Sequence, residues 1–157
     1  MQTYPAAFLA VFSILALIGA GLDLRRQIIP NWLNLTILVV GLIAVPLVFG
    51  WTILLWGLLH FIAALAVGIA LFAIGVWGGG DAKFFAVCAL WIPAWQTAAY
   101  LVGLALAGLV LLIAWYFWSL ARGTKLTSKS PLPYGVAIAI GGIFAIVSNP
   151  LMGVWPA

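Results

Sequence analysis

Acidic side chains are nearly absent from this 157-residue sequence, which carries only Asp23 and Asp81 against six lysines and arginines. The single Cys88 excludes an intramolecular disulfide and a cysteine-rich zinc site. The single His60 has no second histidine and no nearby acid, so it makes a poor metal site. We expect it to be neutral and hydrogen-bonded to a neighbouring helix. The sequence therefore predicts no metal and no cofactor.

Charge is also scarce, at 5% of the residues, whereas 68% are hydrophobic and the mean hydropathy is +1.33. This composition excludes a soluble domain and predicts an all-α integral membrane protein, with residues 1–157 as one polytopic domain. The apolar runs predict six transmembrane helices, at about 5–22, 32–49, 53–77, 82–92, 96–119 and 132–149.

The fourth predicted helix is short, because about 11 residues rising about 1.5 Å each cover only about half of a hydrocarbon core of about 30 Å. Either this helix continues through Pro93 or it begins below the membrane surface. The second possibility would recess Asp81 into the bilayer, where a carboxylate is costly.

The basic residues form three clusters, namely Arg25 with Arg26, then Lys83, then Arg122 with Lys125 and Lys129. With six helices, the clusters lie in the first, third and fifth connections, which share one side of the membrane. By the positive-inside rule that side is cytoplasmic and both termini are extracytoplasmic. Topology is the simplest role for these residues, so we expect a lipid bilayer and no nucleic acid as partner. The first helix has no basic residue before it, so we expect it to stay uncleaved.

The two acids are predicted to lie on the same side of the membrane. Asp23 ends the first helix and Asp81 begins the fourth, so the topology places both at similar depth on the cytoplasmic side. Two carboxylates held close together share a proton, because they cannot both ionise freely. One can then activate a water while the other protonates a peptide carbonyl. This hydrolysis needs no metal, nucleophilic serine or cofactor.

Asp81 follows three glycines in "WGGGDAKFF". Gly78, Gly79 and Gly80 allow positive φ and leave room for an extended substrate backbone, and their N–H groups could hold a bound peptide. We also expect them to end the preceding helix. The alternative is a plain helix-terminating turn, in which glycine is common. Lys83 could stabilise one ionised aspartate of the pair.

Two further segments open helices near the same side. Pro30 and Asn31 are ordinary start signals for the second helix. In "SPLPYGVAIAIGG", Pro133 lies at the start of the sixth helix, Tyr134 is expected at the membrane boundary, and Gly135 would let another helix approach.

Three motifs together resemble the type IV prepilin peptidases, a family of membrane aspartyl proteases of the GxGD class, and most closely the short branch that serves Flp/Tad pili. They are "DLRRQIIPN" at 23–31, "GGGDAK" at 78–83 and "PYGVA" at 133–137, so the resemblance covers nearly the whole chain. It implies that Asp23 and Asp81 are the catalytic pair and face the cytoplasm from the bacterial inner membrane.

The resemblance also implies a substrate, the prepilin, whose short basic leader is cut after a glycine and before a hydrophobic helix. The long branch of the family also methylates the new amino terminus, using an extra region with paired cysteines. This sequence has neither those cysteines nor room for that region, so we expect peptidase activity without methyltransferase activity.

Two alternatives remain open at this point. A small transporter could use intramembrane acids as a proton or cation relay, although only His60 lies further in. A non-catalytic scaffold of a secretion machine could pair its acids with neighbouring basic residues, and it would then tolerate Asp→Asn at either position.

Overall fold

The computed structural model describes residues 4–121 and 132–152, with the backbone alone for 149–152. The described residues form six α-helices, α1 (Ala6–Arg26), α2 (Asn31–Phe49), α3 (Trp51–Ala73), α4 (Gly79–Ala89), α5 (Thr97–Ala121) and α6 (Tyr134–Met152), with a 3₁₀ turn at Ala94–Gln96 before α5. The all-α class and the six helices are therefore confirmed, and their ends lie within a few residues of the predicted positions.

Four of these helices are long and apolar enough to cross a membrane, namely α1, α2, α3 and α5 with its 3₁₀ turn. The described apolar part of α6, Tyr134–Ser148, is shorter, and α4 is shorter still. The chain is thus a multi-pass membrane protein, while the side on which its termini lie stays a prediction. The basic cluster formed by Arg122, Lys125 and Lys129 lies outside the described residues.

The short helix α4 lies in the interior of the bundle. It packs against α2, α3 and α6, and every residue from Phe84 to Pro93 is buried. The helix ends at Ala89, so the alternative in which it continues through Pro93 is wrong. The Trp91 and Ile92 N–H groups bond to carbonyls only three residues back, at Cys88 and Ala89, which tightens the chain into a turn before the proline. Cys88 is fully buried, as expected for an apolar packing residue.

Glycines allow the surrounding helices to approach α4 closely. A Cβ added to Gly19 of α1 would lie 2.6 Å from the ring of Phe84, and one added to Gly41 of α2 would lie 2.6 Å from the Trp91 indole nitrogen. A Cβ on Gly57 of α3 would overlap the Leu90 carbonyl oxygen. Small residues at such crossings are typical of membrane bundles, where helix association depends on close packing.

Side-chain hydrogen bonds hold the buried end of α4. The His60 Nδ1 donates to the Ile92 carbonyl at 2.7 Å, and the Trp91 indole N–H donates to the Ile37 carbonyl at 3.1 Å. The Tyr100 hydroxyl donates to the Phe85 carbonyl at 3.2 Å. The predicted hydrogen bonding of His60 to a neighbouring segment is confirmed. With its inner end fixed, α4 holds its outer end, which carries Asp81, in a defined position.

Candidate active site

Asp23 lies near the carboxyl end of α1 and faces the first turn of α6. Its side chain is only 4% exposed. The Gly135 N–H donates to Asp23 Oδ2 at 2.7 Å. The first N–H groups of a helix have no partner within the helix and lie at the positive end of its dipole, so they bind a carboxylate well. The amino end of α6 thereby fixes the position of one acid.

Gly135 is the residue that makes this contact possible. A Cβ at position 135 would lie 2.9 Å from both the Cβ and the Oδ2 of Asp23, and 2.9 Å from the Ile29 Cδ1. Those distances are shorter than van der Waals contact, so no larger residue fits without displacing the carboxylate. The sequence predicted that another helix approaches at Gly135. That helix is α1, and Asp23 is its residue that contacts Gly135.

Asp81 occupies the first turn of α4, in a helix that is not among the four long enough to span a membrane. Its Oδ2 accepts a hydrogen bond of 3.1 Å from the Gly78 N–H, which caps the helix. Burial is the main cause that raises the pKa of Asp81 to about 6, and the charge of Asp23 adds a smaller contribution in the same direction. The hydrogen bond from Gly78 has the opposite effect and lowers this pKa. The structure therefore brings the two acids close enough for one charge to act on the other.

The three glycines act differently from the prediction. The helix before them, α3, ends at Ala73, and the positive φ that turns the chain there belongs to Gly75, at 77°. Gly78 has a φ of −74° and is the residue before α4, so the glycines begin a helix and do not end one. The expectations of positive φ and of ending α3 are therefore wrong at these positions.

At Gly80 the segment that comes close belongs to the protein itself, and the predicted approach of a substrate backbone at these glycines stays a prediction. A Cβ at this position would lie 3.2 Å from the Ile29 carbonyl oxygen, so α4 begins directly against the segment between α1 and α2. Gly79 has more room, since a Cβ there would meet only the Phe72 ring, at 3.7 Å. The Gly78 N–H, which we expected to hold a peptide, bonds to Asp81.

Ile29 is a site residue that the sequence did not reveal. It is 4% exposed and touches the positions of both Gly80 and Gly135, so it forms a buried spacer between the two acid-bearing regions. Its segment reads as a short polar turn, "RRQIIPN", in which one buried isoleucine cannot be told from its exposed neighbour Ile28. The chain turns at Gln27, which has a φ of 52°, and this turn brings the Ile29 side chain into the interior of the bundle.

Asp23 and Asp81 form the pair of acids that we call the dyad. Two other predicted site residues, Asn31 and Lys83, pair with each other on the other side of α4. The Lys83 ammonium donates to the Asn31 Oδ1 at 2.9 Å. Both side chains are exposed. Pro30 precedes α2 in an extended conformation, as a helix start predicts. These contacts give the lysine a partner other than an acid.

The remaining predicted residues, Pro133 and Tyr134, line an apolar groove next to Asp23. The groove has a volume of about 440 Å³ and is bounded by Trp77, by the first turn of α6 and by α5 residues such as Leu104 and Gly108. The ring centroids of Trp77 and Tyr134, which both line the groove, are 6.3 Å apart. We name it the Trp77–Tyr134 groove. Trp77 is a further residue that the sequence left without a role.

Among residues 4–121 and 132–152, no three side chains of His, Cys, Asp or Glu come together as a metal site would need. The chemistry that the arrangement offers is that of two carboxylates with different environments. Asp23 is deeply buried and held by α6, whereas Asp81 is half-buried and has a pKa of about 6.

The family model of the type IV leader peptidases matches residues 10–146. The matched region takes in both acids, the three glycines before Asp81, and Gly135. Neither a curated protein nor a solved structure matches the chain. Because the family match extends over most of its length, the chain belongs to the type IV leader peptidase family.

Proposed function

We propose that this protein is a membrane aspartyl endopeptidase that removes the short basic leader of type IV prepilins at the cytoplasmic face of the bacterial inner membrane. The observation that carries the proposal is the approach of the only two acidic side chains, each held by the N–H of a glycine at the start of a helix. We infer that the substrate is a prepilin of the Flp/Tad type, which the short branch of the family serves.

In the proposed reaction Asp81 begins as the acid and Asp23 as the base. Asp23 takes a proton from a water whose oxygen attacks the scissile carbonyl carbon, while Asp81 donates its proton to the carbonyl oxygen. The tetrahedral diol then collapses. Asp23 returns its proton to the amide nitrogen as the C–N bond breaks, and Asp81 regains a proton from a diol hydroxyl. A pKa of about 6 keeps a fraction of Asp81 protonated near neutral pH, so Asp81 can supply this proton.

The Trp77–Tyr134 groove is the proposed seat of the apolar segment that follows the scissile bond. It lies beside Gly135, which holds Asp23, and its lining is almost wholly hydrocarbon. A hydrophobic segment entering the groove from the bilayer would place the bond before it near the two carboxylates. The basic leader would then extend toward the cytoplasm.

Methyltransferase activity is not part of the proposal. The sequence has one cysteine, and so it lacks the paired cysteines expected of the long branch. Mass measurement of the cleaved pilin would reveal any methyl group added by this protein.

Co-expression with a tagged candidate prepilin tests the proposal. Leader removal is followed by gel shift and amino-terminal mass for wild type, Asp23→Asn and Asp81→Asn, with equal membrane levels as the control. We expect cleavage by wild type and none by either variant. Cleavage by either variant would remove that aspartate from the mechanism and favour the scaffold alternative. Ion flux that persists in proteoliposomes while no tested prepilin is cut would favour the transporter.

A further inference from the structure

A second groove opens on the side of α4 away from the dyad. It has a volume of about 340 Å³ and is bounded by three helices. Its lining residues are Asn31, Asn34, Leu35 and Leu38 of α2, Phe61 and Leu65 of α3, and Lys83 and Val87 of α4. We name it the Asn34 groove. Asp81 and Lys83 are two residues apart on α4, so they face different sides of that helix.

The polarity of the Asn34 groove changes along its length. Asn31 is the first residue of α2 and Lys83 is the fifth residue of α4, and both helices begin at the same end of the bundle as the dyad. Asn34 lies about 4.5 Å further along the helix axis, one turn inward. Beyond it the lining is hydrocarbon, from Leu38 and Phe61. The lining is therefore almost entirely hydrocarbon, and the Lys83 ammonium, bonded to Asn31, lies at the end of the bundle that carries the dyad.

The side chain of Asn34 has no hydrogen-bond partner in the part of the chain that the structure describes. Its residue is 5% exposed, and both its Nδ2 and its Oδ1 are buried with no partner among the described residues. A buried amide left unpaired is costly, and in a bilayer no water is at hand to satisfy it. A rotation of its side chain into the groove would offer one donor and one acceptor to a ligand.

We infer that the Asn34 groove binds a membrane phospholipid with an anionic headgroup. Lys83 and Asn31 supply donors for the phosphate, Asn34 supplies a donor for the glycerol ester region just below it, and the stripe from Leu35 to Phe61 covers the start of an acyl chain. This order of groups matches the order along a phospholipid. A basic leader fits less well, because Lys83 would repel it.

Native mass spectrometry of the full-length protein in detergent tests the inference. The protein is titrated with dioleoyl phosphatidylglycerol or with dioleoyl phosphatidylcholine, and bound lipid is counted for wild type and four variants. We expect wild type to retain one phosphatidylglycerol about fivefold more strongly than phosphatidylcholine. Lys83→Gln should abolish that preference, because it removes the ammonium charge. Asn34→Leu should weaken both lipids alike, because it replaces the amide with an apolar group of similar size.

Arg26→Gln is the matched control, since it removes one exposed charge from the end of α1, outside the groove. It should keep the preference, and excess inorganic phosphate should not displace the lipid. The inference is wrong if wild type shows no preference, if Arg26→Gln loses it as fully as Lys83→Gln does, or if phosphate alone competes. Asp23→Asn should bind lipid as wild type does, so this test is independent of the proposed peptidase activity.

Discussion

Replacing Gly135 with alanine should displace the Asp23 carboxylate without removing it. The added Cβ would lie 2.9 Å from both the Cβ and the Oδ2 of Asp23, and 2.9 Å from the Ile29 Cδ1. Because all three contacts are too short, the first turn of α6 must move away or the carboxylate must rotate. Either movement lengthens the 2.7 Å hydrogen bond from the Gly135 N–H.

The size of the effect follows from what that bond does. Losing a hydrogen bond to a charged group costs about 1.5–3 kcal/mol, and crowding a packed contact costs about 1–3 kcal/mol. A displacement of about 1 Å at a catalytic group can lower the rate about 100-fold. We therefore expect kcat/KM for leader cleavage to fall at least about 100-fold in Gly135→Ala, with the membrane level of the protein largely retained.

The assay is cleavage of a purified prepilin by wild type, Gly135→Ala and Gly21→Ala in the same detergent. Gly21→Ala is the matched control, because it makes the same change two residues before Asp23, where an added Cβ meets nothing within 4 Å. We expect it to cleave at the wild-type rate. Wild-type cleavage by Gly135→Ala would refute the prediction that the Gly135 N–H positions Asp23 for cleavage.

Three further predictions concern pH and the end of α1. Burial and the Asp23 charge raise the pKa of Asp81 to about 6, so the folded state binds more protons than the unfolded state between about pH 3.8 and 6. The free energy of unfolding should therefore fall as pH rises through that window, by no more than about 2 kcal/mol after solvent screening, and thermal melts of Asp81→Asn should depend less on pH there than those of wild type. Lys83→Gln should leave the acid limb of the pH–rate profile unchanged, because its ammonium bonds to Asn31, and a displaced limb would show that the lysine acts on the dyad. Gln27→Gly should raise the free energy of unfolding by about 0.5–1 kcal/mol, because residue 27 has a φ of 52°, and a lower melting temperature would contradict this.

The sequence predicts that the two acids lie near each other, from the positions of its apolar runs and of its basic residues. Apolar runs long enough to be helices place Asp23 at the end of the first and Asp81 at the start of the fourth, and the charge asymmetry puts both ends on one side. Helix type and order depend mainly on such local patterns, which explains why the six helices match the prediction. The contact between Gly135 and Asp23 joins residues 112 positions apart, and the sequence predicted a helix approach at Gly135 without identifying the partner.

The connection before α4 shows where local reasoning fails. Four glycines lie between Ala73 and Asp81, and each is able to turn the chain. Gly75 does so, because α3 ends there, whereas Gly78 to Gly80 adopt helix-start geometry and bring α4 against Ile29. The sequence cannot choose among them, because the choice depends on how deeply α4 packs between α2, α3 and α6.

The structure differs most from the sequence-based expectation in the groups that stabilise negative charge at the dyad. A lysine two residues from Asp81 suggested a counter-ion, yet Lys83 bonds to Asn31, and the hydrogen bonds found at the two acids come from Gly78 and Gly135. Backbone N–H groups at helix starts stabilise a negative charge without becoming a full ion pair. A carboxylate held in this way keeps its second oxygen for water or for a substrate carbonyl. This arrangement explains how a chain with only two acidic side chains can hold both close together and still leave them free to exchange a proton.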